Sequence, residues 1–195
     1  MEKVKKGEYL DILLRSKKTV FSTNDIILLW GDSNIKAVKV RLSYYVRNKK
    51  LFRLRRGLYV KDTNYDRLEL ATKIFKPAYV SFETVLGSAG ITFQYYNQIF
   101  VASYVKREIL CDEQKYAFRI IRNDILINPL GIEQSGDYSI ATKERAFLDT
   151  VYRSKDYYFD NLSLLDWDKV FEILPIYKSP IMEERIKKYY KNFKE

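Results

Sequence analysis

Between Ser33 and Lys61 the chain carries ten basic residues and not one acidic residue. Residues 1–65 hold sixteen Lys and Arg against six Asp and Glu, whereas residues 66–195 hold nineteen of each sign. The whole formal charge of +10 therefore lies in the first third. A division this sharp points to a small basic domain beside a neutral one, and a one-signed patch on an ordered domain is the footprint of a surface that meets phosphates. A chain of 195 residues is long enough for two such domains, each with its own core. The polar stretch Asp62–Tyr65 is the expected break, dividing a domain 1–62 from a domain 66–195. With 47% apolar and 15% aromatic residues, a disordered basic protein is excluded.

Histidine is absent, which removes Ser-His-Asp and Cys-His nucleophiles, Cys/His zinc sites and His-based relays. The seven glycines are scattered singly, so no glycine-rich phosphate loop is present. Neither a metal nor a cofactor is expected, and the reading is of a protein that is not an enzyme. Cys111 stands alone, which excludes an internal disulfide and fits a reducing compartment. The longest apolar runs, such as Ile26–Trp30, are too short to span a bilayer. Glu2, Lys3, Lys5 and Lys6 stand where a signal peptide needs an apolar run, so the expected location is the cytoplasm.

In the basic domain, Gly7–Ser16 has the spacing of a short helix and Thr19–Phe21 that of a brief strand. Ser22 or Thr23 caps a second helix, with Asp25 in its first turn and Gly31 at its end. Ser33 is the expected cap of a third helix reaching about Asn48, whose apolar positions Ile35, Val38, Leu42 and Tyr45/Val46 share one face. The opposite face carries Lys36, Lys39, Val40, Ser43, Tyr44 and Arg47, with Arg41 at its edge. Two alternating runs, Leu51–Arg56 and Leu58–Val60, then meet at a basic tip around Gly57. Helix, strand, helix, helix and hairpin is the order of a winged helix-turn-helix, in which the third helix enters the major groove and the hairpin lies along the backbone or minor groove.

The candidate DNA-binding residues are Ser33, Lys36, Lys39, Arg41, Ser43, Tyr44, Arg47, Lys49, Lys50, Arg53, Arg55 and Arg56. Arg and Lys meet phosphates, and Arg also forks onto guanine edges. Ser43 and Tyr44 can bond a phosphate or a base, and Arg55 or Arg56 can reach an A·T-rich minor groove. If about six of the ten cations touch phosphates, the log–log salt slope is near −5. A groove-reading helix favours DNA over RNA.

Beyond the break, helices are expected at Arg67–Phe75, from Ser81 as cap to Gly90, from Thr142 as cap through Tyr152, at Asp166–Leu174 and at Pro180–Tyr190. Strands are expected at Ala78–Val80, Gln98–Ser103, Tyr116–Arg122, Asp124–Asn128 and Asp137–Ile140. The fold class is α+β, a winged helix-turn-helix followed by a mixed α/β domain.

Three segments carry a resemblance over nearly the whole chain: LFRLRRGLYV at Leu51–Val60, SFETVLGSAGI at Ser81–Ile91 and YSIATKERAFLDT at Tyr138–Thr150. In this order they resemble the AbiEi family, the antitoxin regulators of bacterial type IV toxin–antitoxin, or abortive-infection, systems. The resemblance implies a winged helix that represses its own operon at inverted repeats, and a second domain that counters a nucleotidyltransferase-like toxin. It places the family's basic helix and wing on Lys36, Lys39, Arg41, Tyr44, Arg47, Arg53, Arg55 and Arg56. It places the antitoxin-domain motif on Ser81, Glu83, Thr142, Glu144, Arg145 and Asp149. Ala89 precedes Gly90 where many relatives carry a His, so a structural role is the expectation for that motif. Ser81 and Thr142 read as helix caps, and Glu144 and Asp149 as partners of Arg145 or Arg153.

Two other classes compete with this reading. A metal-dependent nuclease would need acids such as Asp112, Glu113, Asp124, Glu133 or Asp137, but Ile132–Ser135 lacks the Lys two residues after Glu133. A ligand-sensing regulator is the other. Without a heptad repeat, the expectation is a monomer in solution that pairs on double-stranded DNA.

Overall fold

In the computed structural model, which describes residues 7–194, the chain divides between Ile74 and Phe75 into two units. The polar opening stretch, residues 2–6, lies outside the described residues. Among the described residues no helix is long and apolar enough to cross a membrane.

The first unit begins with helix α1 (Glu8–Arg15) and strand β1 (Val20–Ser22). Helix α2 (Thr23–Trp30) is started by a reciprocal cap: the Ser22 hydroxyl accepts from the Asp25 N–H at 3.1 Å, and the Asp25 carboxylate accepts from the Ser22 N–H at 2.8 Å. Gly31, at φ 59°, closes it. Helix α3 (Ile35–Arg47) is capped by Asn34 and not by Ser33, because it is the Asn34 side chain that accepts from the third helical N–H, Ala37. Strands β2 (Phe52–Arg55) and β3 (Leu58–Val60) form the hairpin, and β1 pairs with the far side of β3, so Leu58–Val60 is buried throughout. Leu13, Phe21, Ile26, Trp30, Val38, Leu42, Leu51 and Tyr59 make one core. Ile35, expected on the buried face, is 51% exposed, because the core reaches α3 only from Val38 onward.

Helix α4 (Arg67–Ile74) corrects the expected domain break, since it belongs to the first unit. Asp62–Asn64 is only a turn. The buried Glu69 accepts from the Thr19 N–H at 2.9 Å and from the Lys73 ammonium at 2.5 Å, and Lys73 also donates to the Val20 carbonyl. A buried charge pair whose remaining bonds reach β1 ties α4 to that strand.

The second unit is α+β, as expected. It contains β4 (Ala78–Val80), α5 (Glu83–Ser88), β5 (Gln98–Ser103), β6 (Arg107–Cys111), β7 (Gln114–Ile120), α6 (Asn123–Leu126), β8 (Ile132–Ser135) and β9 (Tyr138–Ala141). Helices α7 (Lys143–Arg153), α8 (Trp167–Ile173) and α9 (Pro180–Lys194) follow, with a 3-10 turn at Leu174–Tyr177. The sheet order is β6-β7-β5-β4-β9-β8; β5/β7 and β4/β9 run parallel and the other pairs antiparallel. The expected strand at Asp124–Asn128 is a helical turn instead, closed by the Leu126 N–H on the Arg122 carbonyl at 2.9 Å and the Ile127 N–H on the Asn123 carbonyl at 3.1 Å. The edge strands β6 and β8 were not foreseen, since each is mostly exposed and shows no alternating pattern strong enough to read. An aromatic cluster of Phe147, Phe159, Trp167 and Tyr189, with ring centroids 4.8–5.8 Å apart, packs the helices.

Candidate nucleic-acid interface and buried motif cluster

Helix α3 turns Val38 and Leu42 into the core, and its 3.6-residue period then sends Lys36, Lys39, Val40, Ser43, Tyr44 and Arg47 outward, all exposed. Ser33 is exposed just before the helix, and Lys49 and Lys50 just after it. Lys49 takes a left-handed conformation at φ 55°, which lets the chain turn into the hairpin. The Ser43 hydroxyl donates to the Lys39 carbonyl at 2.9 Å and keeps its lone pairs for an incoming donor. Tyr44 is 57% exposed with its ring edge against Tyr45.

Arg53, Arg55 and Arg56 are exposed on the hairpin, whose turn needs Gly57 at φ 80°. The Thr23 N–H donates to the Gly57 carbonyl at 2.9 Å, so the tip is fastened to the start of α2. A cleft of about 370 Å³ lies there, lined by Ser22, Thr23, Asn24, Arg55, Arg56 and Lys73 among others.

Two cations of the basic run are otherwise engaged. The Arg41 guanidinium lies 3.6 Å above the Tyr9 ring and 3.2 Å from the Asp32 carboxylate, so it serves the unit's packing. The Lys61 ammonium donates to the Ser16 carbonyl at 2.6 Å and to the Leu14 carbonyl at 3.3 Å, closing the last turn of α1. Neither displays a free cationic head.

The motif residues of the second unit gather at one buried point. Arg145 and Asp149 sit one turn apart on α7, both fully buried. Asp149 accepts from the Ser81 hydroxyl at 2.7 Å, the Tyr79 hydroxyl at 2.9 Å, the Tyr177 hydroxyl at 2.6 Å and Arg145 Nε at 3.3 Å. Arg145 also donates to the Leu130 and Ile125 carbonyls at 2.6 and 2.7 Å and to the Tyr79 hydroxyl at 3.0 Å. Burial, with the Asp149 carboxylate beside them, pushes the Tyr79 and Tyr177 hydroxyls well above the ordinary tyrosine range, so both stay donors. Ser81 is thus no helix cap; its hydroxyl is turned inward to Asp149, and α5 starts after Phe82 at φ 57°. Thr142 does cap α7, accepting from the Arg145 N–H at 3.2 Å. Glu144 pairs with neither arginine; it accepts from the Asp166 N–H at 3.2 Å and so ties α7 to the start of α8.

Glu83 lies apart from this cluster. Its carboxylate takes a two-pronged bond from Arg119, with contacts of 2.7–3.0 Å, and the guanidinium stacks 4.1 Å from the Phe100 ring centroid. Sequence reasoning missed Tyr79, Tyr177 and Arg119. Each is joined to its motif partner across 28 to 70 residues, and no spacing rule spans that distance.

The acids that a metal-dependent nuclease would need are dispersed. Asp112 and Glu113 form the β6–β7 turn, Asp124 pairs with Arg122, and Glu133 and Asp137 lie on or beside the β8–β9 hairpin. Among the described residues no group of three or more His, Cys, Asp or Glu side chains is placed to hold a metal ion. No protein-family model matches the chain, and comparison with curated proteins finds no match.

Proposed function

We propose that the chain is a DNA-binding transcriptional autorepressor that acts as the antitoxin of a type IV toxin–antitoxin system, counteracting a nucleotidyltransferase-like toxin. The observation that carries the DNA half is the outward face of α3 joined to the arginines of the β2–β3 hairpin. Lys36, Lys39 and Arg47 with Arg53, Arg55 and Arg56 are all exposed, on an element order that matches a winged helix-turn-helix. In this reading α3 lies in the major groove, and Ser43 and Tyr44 bond bases or phosphates. The hairpin follows the backbone, and Lys49 and Lys50 add phosphate contacts. The protein is a monomer in the cytoplasm and pairs on an operator with inverted repeats.

The antitoxin half rests on the family resemblance of the second unit. Its motif residues Ser81, Arg145 and Asp149 act there as a structural core, which supports a domain that works through its surface rather than by catalysis.

The test is binding to the promoter upstream of its own gene across a salt series, with competitor DNA. Tight, salt-steep, sequence-preferring binding that Lys39→Ala/Arg47→Ala and Arg55→Ala/Arg56→Ala both weaken supports the reading. Indifference to both variants overturns it. Rescue of growth when the chain is co-expressed with the neighbouring toxin tests the other half.

A further inference from the structure

The second motif builds more than the buried cluster. Glu83, Thr84, Gly87 and Ser88 present one side of α5 to a cleft of about 530 Å³ within the second unit. That volume lies inside the range of about 300–1,000 Å³ typical of small-molecule sites. The segment 92–97 lines the same cleft and displays Phe93 at 71% and Tyr95 at 86% exposure. These rings stand on an anchored segment. The Phe93 N–H donates to the Asp160 carboxylate at 2.7 Å, and the Asp160 and Asn161 N–H groups donate to the Ile91 carbonyl at 3.0 and 3.1 Å. Tyr96 packs edge-on against Phe100, 5.2 Å between centroids. Thr92, which also lines the cleft, is 4% exposed, and its hydroxyl has no hydrogen-bond partner among the described residues.

The lining selects the ligand by chemistry. Asn97 and Gln98 supply carboxamides, each able to donate and accept on one edge, while the Gln94 amide oxygen accepts from the Tyr96 hydroxyl at 2.8 Å and the Gln114 amide donates to the Lys115 carbonyl at 2.9 Å. Among the described residues that line the cleft there is no Lys or Arg, and its one charge, Glu83, is held by Arg119. A phosphate or a carboxylate therefore finds no counter-charge, and an ammonium finds its carboxylate already taken. A flat, uncharged ring with a hydrogen-bonding edge suits both sets of groups. Exposed aromatic rings stack on its faces, and carboxamides pair with a purine edge two bonds at a time.

We propose that the cleft between α5 and the segment 92–97 binds a purine base, stacked on Tyr95 or Phe93 and read at its edge by the surrounding carboxamides. The base comes either from a free nucleoside or from an unpaired purine of single-stranded RNA. This site is independent of the DNA reading of the first unit.

The experiment follows the fluorescence of 2-aminopurine riboside as the full chain is added. Adenosine, guanosine, cytidine, uridine and an adenine trinucleotide serve as competitors. Two variants accompany it. Gly87→Leu fills the cleft from an exposed helical position where a Cβ meets nothing within 4 Å, so the fold is kept. Tyr95→Ala removes a stacking ring.

Saturable quenching is expected, displaced by purine nucleosides at least about tenfold better than by pyrimidines. Gly87→Leu should weaken it about tenfold or more, and Tyr95→Ala about fivefold or more. A trinucleotide that competes better than adenosine identifies the RNA chain as the source, and equal competition identifies the free nucleoside. The absence of saturable quenching, the absence of purine preference, or quenching untouched by a folded Gly87→Leu chain overturns the proposal.

Discussion

The guanidinium of Arg145 lies 3.3 Å from the carboxylate of Asp149, one helical turn apart on α7, and neither side chain reaches solvent. The pair stands at the crossing of four elements, because β4 supplies Tyr79, the 3-10 turn supplies Tyr177, and carbonyls from Ile125 and Leu130 complete the arginine. Removing one partner strands the other. Asp149→Ala is expected to cost about 3–5 kcal/mol, because a buried cation loses its counter-charge and three hydroxyls lose their acceptor. Urea unfolding followed at Trp167, with Trp30 replaced by Phe, measures this for the second unit; a loss below about 1 kcal/mol contradicts it.

Gly131 bears on the same cluster from outside. It holds φ 71°, and a Cβ placed there would meet Arg145 Cβ and Ile173 Cδ1 at 2.8 Å each. Gly131→Ala combines left-handed strain with overpacking against a side chain that cannot retreat. About 2–4 kcal/mol of destabilisation is expected, read as a lowered Tm for the second unit. Gly136, also at positive φ but with nothing within 4 Å, is the control: Gly136→Ala should cost only about 1 kcal/mol.

In the first unit, Asp25 couples stability to pH. Burial alone raises its pKa, but the Ser22 hydroxyl and N–H, with Lys73 and Lys18 nearby, hold the carboxyl below its ordinary value of 3.8. The ionised form therefore stabilises the fold at pH above that value, and the contribution is lost as pH falls below it toward the lower folded value. Asp25→Asn is expected to cost about 1 kcal/mol at neutral pH, with the gap to the parent chain closing in acid. Unfolding curves at pH 7 and at a series of acid values show whether the gap closes.

The two arginines of α3 should separate cleanly. Arg47 is exposed and free of the core, whereas Arg41 is held by Tyr9 and Asp32. On the proposed function, Arg47→Ala weakens operator binding and lowers the salt slope by about 1, with stability within about 0.5 kcal/mol of the parent. Arg41→Ala lowers stability of the first unit by about 1 kcal/mol and leaves the salt slope unchanged. Parallel fluorescence titrations and thermal melts distinguish them. Equal effects of both on the slope would show that Arg41 leaves Tyr9 on DNA.

Helices were legible where a cap and a period spoke together. Ser22 with Asp25, Thr142 and Asp166 all mark helix starts whose capping bonds close within three residues, so a local pattern records them. Ser33 misled because Asn34 beside it has a competing side chain of the same chemistry, and only the backbone path chooses between them. Ser81 misled in the same way, having the right type for a cap but an acceptor 68 residues away that claims its hydroxyl. The strands β6 and β8 carry too few buried positions to read, and the division after Ile74 depends on a Lys73–Glu69 pair whose reach to β1 no local pattern records.

By itself the sequence determined the confinement of the net charge to the first third, the absence of histidine chemistry, and the helical face on which Lys36, Lys39 and Arg47 stand together. These follow from composition and from a period of 3.6 residues, both of which are local. Tertiary structure alone decided that Arg41 and Lys61 spend their charge inside the first unit. It also decided that Ser81, Tyr79 and Tyr177 converge on Asp149, and that one face of α5 opens onto a cleft. Each of these depends on where a distant segment brings a donor, a ring or an empty volume, and desolvation at that place sets how strongly the groups are held.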